Sequence, residues 1–220
     1  MSLPPHRQTL QGLYIILDPS VVRRLSLVDA LREAAAGGAM LFQYRDKTSS
    51  GREFYRGAEQ LQQAARDVAA TLIVNDRCDV ALAVEADGVH LGQGDLPLSL
   101  ARGLMRPDQL IGISTHTVDQ VREATVGSAD YVGFGPIFPT ASKADHEPVV
   151  GVEGLRQARL LTPLPMFAIG GLTVASVEGL IQAGADGIAV MSAIWAAPDI
   201  ATAVHVFIEK MARATRPMSG

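Results

Sequence analysis

Along this chain, short and nearly uninterrupted apolar runs alternate with longer stretches whose apolar residues recur every three or four positions. The first run, Leu13 to Asp18, is closed by Asp18-Pro19, and Leu27 to Gly38 follows with helical spacing and a Gly-Gly stop. That pattern predicts one strand and one helix. The pair then recurs as Met40 to Asp46 with Arg52 to Ala69, Thr71 to Asp76 with Asp79 to Val84, Gly88 to Gly92 with Pro97 to Met105, and Leu110 to Thr115 with Val118 to Val126. Three further pairs complete the series: Tyr131 to Pro136 with Val152 to Leu161, Pro165 to Gly170 with Val174 to Ala183, and Gly187 to Ile194 with Ile200 to Ala214.

Strands rich in Ile, Val, Leu and Phe, each followed by a helix, imply parallel strands covered on both faces and joined by right-handed crossovers. An open doubly wound sheet and a closed barrel both satisfy this. No Gly-x-Gly-x-x-Gly opens a helix, and eight strand-helix units in a chain of 220 residues favour the α/β class with a (β/α)8 TIM barrel. Polar residues also gather where the predicted strands end: Asp18, Arg45, Asn75-Asp76, Ser114, Thr140, Gly170-Gly171 and Ser192. In a barrel the C-terminal ends of the strands carry the active site. The expected organisation is a single barrel domain over residues 1–220, with 1–12 as lead-in and 215–220 as tail.

Composition narrows the partners. With 5% aromatic residues and a net charge of −4, the chain offers few stacking platforms and no excess of cations for nucleic acid. No apolar run reaches membrane-spanning length and the N-terminus lacks a signal-peptide apolar region, so no membrane partner and a cytoplasmic location are expected. The single cysteine, Cys78, excludes an intrachain disulfide and reads as a small buried apolar side chain. A homo-oligomer is compatible with the sequence.

Candidate chemistry lies at the strand ends. Gly133 and Gly135 share one face of an extended strand, either for tight packing or for close approach of a ligand. Beyond them, Thr140, Ser142 and Lys143 place two hydroxyls and a cation where a phosphate could sit. Gln43, Arg45 and Lys47 alternate onto one face toward the barrel mouth, as either a salt-bridged cluster or a clamp for an anionic substrate. Asp76 and Asp95 end neighbouring units; each alone could cap a helix, but together beside a cationic clamp they suit Mg2+. Ser114 and His116 could bond a polar heterocycle or cap the helix from Val118. An acid-base role for His116 is disfavoured, because a lone histidine is more often structural. Gly170-Gly171 and Met191-Ser192 fall where barrels cradle phosphate on backbone N–H groups. The polar, proline-bounded loop Ala144 to Val150 is expected to be mobile without ligand.

Taken together, Gln43-Tyr-Arg-Asp-Lys47, Val74-Asn-Asp-Arg77, Gly88-Val-His-Leu-Gly-Gln-Gly-Asp95, Gly112-Ile-Ser114, Gly135-Pro-Ile-Phe-Pro-Thr-Ala-Ser-Lys143 and Ile169-Gly-Gly171 resemble the thiamine phosphate synthase family. The resemblance spans roughly Leu13 to Ile194. It implies a barrel that joins hydroxymethylpyrimidine diphosphate to a thiazole phosphate, giving thiamine monophosphate and pyrophosphate. It further implies that Gln43, Arg45, Lys47, Asn75, Ser114 and Lys143 bind the pyrimidine diphosphate, with Arg45, Lys47 and Lys143 catalytic. Asp76 and Asp95 would hold Mg2+, and Thr140, Ala141, Ser142, Gly171, Met191 and Ser192 would bind the thiazole phosphate. Ser142 stands where threonine is common and Met191 where isoleucine is common; the hydroxyl is kept in one case and a backbone contact in the other. The implied chemistry is dissociative, with loss of pyrophosphate before the thiazole nitrogen attacks. Three rivals remain: a related thiazole tautomerase with His116 as proton shuttle, a non-catalytic barrel that binds a thiamine precursor, and a phosphosugar isomerase or epimerase.

Overall fold

The computed structural model describes residues 10–140 and 148–215. Eight parallel strands close into one barrel in sequence order: β1 Gly12–Leu17, β2 Leu41–Tyr44, β3 Thr71–Asn75, β4 Gly88–Leu91, β5 Leu110–Thr115, β6 Tyr131–Phe134, β7 Met166–Ile169 and β8 Gly187–Val190. Closure runs through Gly12 opposite Gly187 and Ile15 opposite Val190. Around it lie α1 Leu27–Ala36, α2 Gly51–Asp67, α3 Cys78–Ala83, α4 Leu98–Leu104, α5 Val118–Val126, α6 Gly151–Arg159, α7 Val177–Gln182, α8 Ser192–Trp195 and α9 Ile200–Ala214. The chain therefore folds as the (β/α)8 barrel that its apolar pattern predicts.

Most element ends fall within two residues of expectation, and two elements differ by more. Strand eight stops at Val190 instead of running to Ile194, because Met191 breaks the extended conformation (φ −131°, ψ −83°) and starts the one-turn helix α8. That helix is pinned to β1 by Trp195, whose Nε1 donates to the Ile16 carbonyl at 2.7 Å. The predicted helix Val174 to Ala183 opens as a 3-10 turn, Val174–Ser176, before α7. Helix starts elsewhere follow their capping residues: Ser26 caps α1, and Ser50-Glu53 and Thr117-Gln120 form capping boxes on α2 and α5. Thr117, not Ser114 or His116, thus caps α5. Asp76 does not cap α3 either; Arg77 occupies that position without a side-chain cap bond.

Each strand is buried on both faces, which is why it reads as a continuous apolar run. Outward residues such as Ile15, Phe42, Val74 and Val89 join the large core under the helices. Inward residues form a second, smaller core of Tyr14, Leu41, Ile73, Leu110, Tyr131, Phe167 and Ala189. Tyr14, Tyr131 and Phe167 meet edge to face with centroids 5.3–5.9 Å apart, a favoured aromatic geometry. They block the barrel axis, so only its upper part is open.

The N-terminal ends of three strands share one device. Ala86-Asp87-Gly88, Ala129-Asp130-Tyr131 and Ala185-Asp186-Gly187 lead into β4, β6 and β8. Before each alanine a residue with left-handed backbone ends the helix: Glu85 (φ 54°), Ser128 (φ 66°) and Gly184 (φ 101°). Each alanine N–H then reaches the carbonyl five residues back, in Ala81, Ala124 or Leu180, closing a Schellman motif. Each aspartate then bonds the preceding strand twice. Asp130 N–H donates to the Ile111 carbonyl at 2.8 Å and its carboxylate accepts from Ile111 N–H at 2.7 Å. Asp87 does the same to Leu72 and Asp186 to Met166. The carboxylates thus satisfy backbone donors where the ladder runs out. Asp130 also holds Arg102 at 2.5 Å.

Asp130→Ala leaves the buried Ile111 N–H without its carboxylate and Arg102 without its ion pair, which should lower stability by about 2–4 kcal/mol. Urea unfolding measures this, and an unchanged midpoint would remove the clamp from the account of the fold.

Candidate active site

At the opposite end, the strands surround a cavity of about 420 Å³ including its open mouth, the size of a small-molecule site. Gln43, Arg45, Asn75 and Ser114, all singled out in the sequence, line it together with His90 and Gly133. Gln43 is 4% exposed and its Nε2 donates to the Tyr14 hydroxyl at 2.8 Å. Arg45 continues β2 by donating its N–H to the Leu17 carbonyl at 2.9 Å. Its guanidinium bonds the carboxylate of Asp18, which is 2% exposed. The other Asp18 oxygen takes the Ser20 N–H at 2.9 Å and hydroxyl at 2.5 Å. Asp18 was legible as a polar strand end, but its bracing of Arg45 needed the β1–β2 pairing.

Lys47, half exposed, bonds the Asp76 carboxylate. The structure thus shows ion pairs at these positions: Arg45 lines the cavity and Lys47 is half exposed, each held by a carboxylate. Asp76 has a left-handed backbone, φ 63°, a strained conformation for a residue with a side chain. Its N–H is fixed by the His90 carbonyl at 2.8 Å, which carries the β3–β4 pairing past the end of β3. Asp95 folds back to accept from Gly92 N–H at 2.7 Å. Burial, and after it the neighbouring Asp76 carboxyl, hold the Asp95 carboxyl above the usual carboxylate range. The two acids are thus brought together, with Lys47 as the nearby cation. No group of three or more metal-ligating side chains occurs among the described residues. A donor set of two carboxylates fits a hard cation that takes its remaining oxygens from ligand and water.

Ser114 sits over the interior core. Its hydroxyl meets His90 Nε2 at 2.9 Å and its carbonyl accepts from Gln93 Nε2 at 2.6 Å. His90 Nδ1 faces the Tyr131 hydroxyl at 3.1 Å, and Tyr131 meets the Tyr14 hydroxyl at 2.9 Å. Burial raises both phenols above their ordinary pKa. His90 belongs to the Gly88-to-Asp95 motif, but an inward-facing histidine among apolar residues becomes conspicuous only once the barrel closes. His116 is elsewhere, with Nδ1 donating to the Gly135 carbonyl at 2.6 Å.

The loop after β6 is stitched to the loop after β7: Ile137 N–H donates to the Ile169 carbonyl at 2.8 Å and Phe138 N–H to the Gly170 carbonyl at 3.1 Å. Gly171, φ 63°, lies so close to Phe138 and Pro139 that a Cβ would strike both. Pro139-Thr140 is thereby set against Gly171, and a side chain at 171 would separate the loops. Met191 and Ser192 form the turn into α8, the short extra helix that borders phosphate sites in many barrels. The paired glycines divide. Gly133 lines the cavity beside His90, whereas Gly135 packs on the Ile169 backbone, so only Gly133 makes room at the mouth. Ala141, Ser142 and Lys143, with residues 144–147 of the loop expected to be mobile, lie outside the described residues.

Residues 13–194 match the family described as thiamine monophosphate synthase. The thiamine-phosphate synthase of Methanospirillum hungatei is 45% identical over 200 residues, 91% of this chain and 97% of the relative. That of Moorella thermoacetica is 43% identical over 202 residues, 92% of this chain and 96% of the relative. Among solved structures, thiamine phosphate pyrophosphorylase from Pyrococcus furiosus superposes with a TM-score of 0.86 at 36% identity, covering 96% of this chain and all of that one. The chain is a transferase of thiamine biosynthesis and belongs to the thiamine monophosphate synthase family.

Proposed function

We propose that the mouth condenses hydroxymethylpyrimidine diphosphate with thiazole phosphate, forming thiamine monophosphate and releasing pyrophosphate in a Mg2+-dependent reaction. The observation that carries this reading is the presence, at the ends of neighbouring strands, of the cations Arg45, paired with Asp18, and Lys47, paired with Asp76, together with the adjoining carboxyls Asp76 and Asp95. Simple binding of a neutral heterocycle requires neither set. A diphosphate leaving group uses both, since its charge grows as the carbon-oxygen bond breaks.

In this reading Asp76 and Asp95 hold Mg2+, which when bound supplies charge neutralisation on the phosphate oxygens. Arg45, braced by Asp18, and Lys47 face the diphosphate, and Lys143 joins them from the loop after β6. Gln43, Asn75 and Ser114 contact the pyrimidine. Thr140, Ala141 and Ser142, with Gly171, Met191 and Ser192, receive the thiazole phosphate. The pyrimidine methylene loses its bond to the diphosphate oxygen and gains one to the thiazole nitrogen, which has no proton to lose. No general base is then required. The tautomerase alternative is disfavoured because the shuttle it needs, His116, is not among the residues that line the cavity. No described helix is long and apolar enough to cross a membrane, and a cytoplasmic location fits the substrates.

Purified protein given both phosphorylated precursors and Mg2+ should form thiamine phosphate and pyrophosphate in equal amounts, and lose the activity on chelation until Mg2+ is restored. Isomerisation of the thiazole phosphate without pyrophosphate release would transfer the assignment to the tautomerase. Asp95→Ala should reduce Mg2+-dependent pyrophosphate release by roughly hundredfold, the scale of losing one electrostatic stabiliser, with the circular dichroism spectrum unchanged. A fully active variant would remove Asp95 from the metal site.

A further inference from the structure

Beneath the cavity, five side chains form one hydrogen-bonded file across the barrel: Gln43, Tyr14, Tyr131, His90 and Ser114. With Gln43 oriented amide nitrogen toward Tyr14, the first link has one direction, because an amide nitrogen can only donate. The Tyr14 oxygen therefore accepts from Gln43 Nε2 at 2.8 Å, and its own proton goes to the Tyr131 oxygen 2.9 Å away. Having accepted, Tyr131 passes its proton to His90 Nδ1 at 3.1 Å. An imidazole nitrogen that accepts carries no proton, so the neutral ring has its N–H at Nε2, directed at the Ser114 oxygen at 2.9 Å. Ser114 accepts there and keeps its own O–H for the cavity it lines.

The reverse order needs the Gln43 amide turned over, with its oxygen toward Tyr14 and its nitrogen toward the cavity; with Gln43 as placed, it would leave the Tyr14 proton facing the Gln43 N–H. An unmatched buried hydroxyl costs about 1–3 kcal/mol. Ionisation offers no escape, since burial holds both phenols in their protonated form.

We infer that this directional file makes Tyr14, Tyr131 and His90 positioning residues for heterocycle recognition: Ser114 presents a hydroxyl donor to the ligand and Gln43 presents its amide oxygen as an acceptor. A ring lying over the interior core meets a donor on one side and an acceptor on the other. The ligand class that matches is an aminopyrimidine, with an amino group for Gln43 and an unprotonated ring nitrogen for Ser114. An oxo-pyrimidine, with a carbonyl and a ring N–H in those places, meets like against like. The inference rests on the proposed pyrimidine substrate for its ligand, but the proton order stands on the protein alone.

The test has an arm for each part. In protein labelled with 15N-histidine, long-range proton-nitrogen correlation spectra should show His90 protonated at Nε2 and bare at Nδ1, assigned by loss of the signal in His90→Gln. Protonation at Nδ1 overturns the file whatever the protein's activity. In kinetics with the aminopyrimidine diphosphate and its 4-oxo counterpart, the unaltered protein should prefer the amino compound at least roughly tenfold, the worth of one mismatched buried hydrogen bond. Glutamine places its amide nitrogen near the Nε2 position and asparagine near Nδ1. His90→Gln should therefore keep the preference, while His90→Asn and Tyr131→Phe lose it through KM for the pyrimidine, with KM for thiazole phosphate unmoved. Equal losses in the Gln and Asn variants, or losses in kcat alone, would reduce His90 to a packing residue. Absence of any condensation in the unaltered protein would count against the proposed function and leave the spectroscopic result to decide the proton order.

Discussion

Closure of eight parallel strands is the constraint on which everything else in this molecule depends. A closed parallel sheet has no edges, so its only unpaired backbone groups are at the strand ends. At the N-terminal end the chain meets the problem with its own carboxylates, as Asp87, Asp130 and Asp186 each take the free N–H of the preceding strand. These acids are consumed by the fold. At the C-terminal end the corresponding positions carry Arg45, Asn75-Asp76 and Ser114, whose side chains face the cavity or its rim. Stability is concentrated at one end of the barrel, which leaves the other free to accumulate charge.

That accumulation is itself held in check. Arg45 and Lys47 would repel one another if left unpaired, and the Asp95 carboxyl is held above the usual carboxylate range by burial first and by the neighbouring Asp76 carboxyl second. Cross-pairing solves both difficulties without a ligand: Asp18 braces Arg45 and Asp76 takes Lys47. The Arg45 partner is buried and multiply bonded, so it is a fixture of the rim. Lys47 is half exposed and can exchange Asp76 for a phosphate oxygen at small net expense in free energy, because exposed pairs contribute little. The rim is thus built from one rigid and one exchangeable ion pair.

How much of this could be read from the chain follows from the range of each interaction. Runs such as Leu13-Tyr-Ile-Ile-Leu17 announce strands because burial on both faces is a local requirement, and Ser50-Gly-Arg-Glu53 carries its own helix start; the strand forms at Gly12–Leu17 and the helix at Gly51–Asp67, each within two residues of the expected bounds. Strand eight was extended too far because Met191-Ser-Ala-Ile-Trp195 stays apolar through a turn, and Trp195 is apolar for its contact with β1, which lies 179 residues away. Asp76 was open to a capping role because nothing local reveals a left-handed φ at a non-glycine residue. The recurrent Ala-Asp pairs before β4, β6 and β8 passed unnoticed since their meaning lies in the neighbouring strand. Gly133 and Gly135 looked alike in sequence, and only the end of β6 at Phe134 separates their environments.

The interior core shows why such a barrel carries polar residues where an apolar filling would pack as well. Tyr14 and Tyr131 contribute aromatic bulk to the inner core alongside Phe167, so their rings alone would seal the axis. Their hydroxyls add nothing to that sealing and would destabilise the core if unmatched. Gln43 and His90, buried on either side of them, supply the matches, and each link is satisfied only if its neighbour points the right way. A fully satisfied polar file of this kind is rigid in a way that apolar contacts are not, because a single rotated hydroxyl leaves an unpaired group elsewhere in the file. The same requirement that keeps the core from being destabilised therefore carries directional information from Gln43 on β2 to Ser114 on β5, across the barrel and up to the surface on which a ligand would rest.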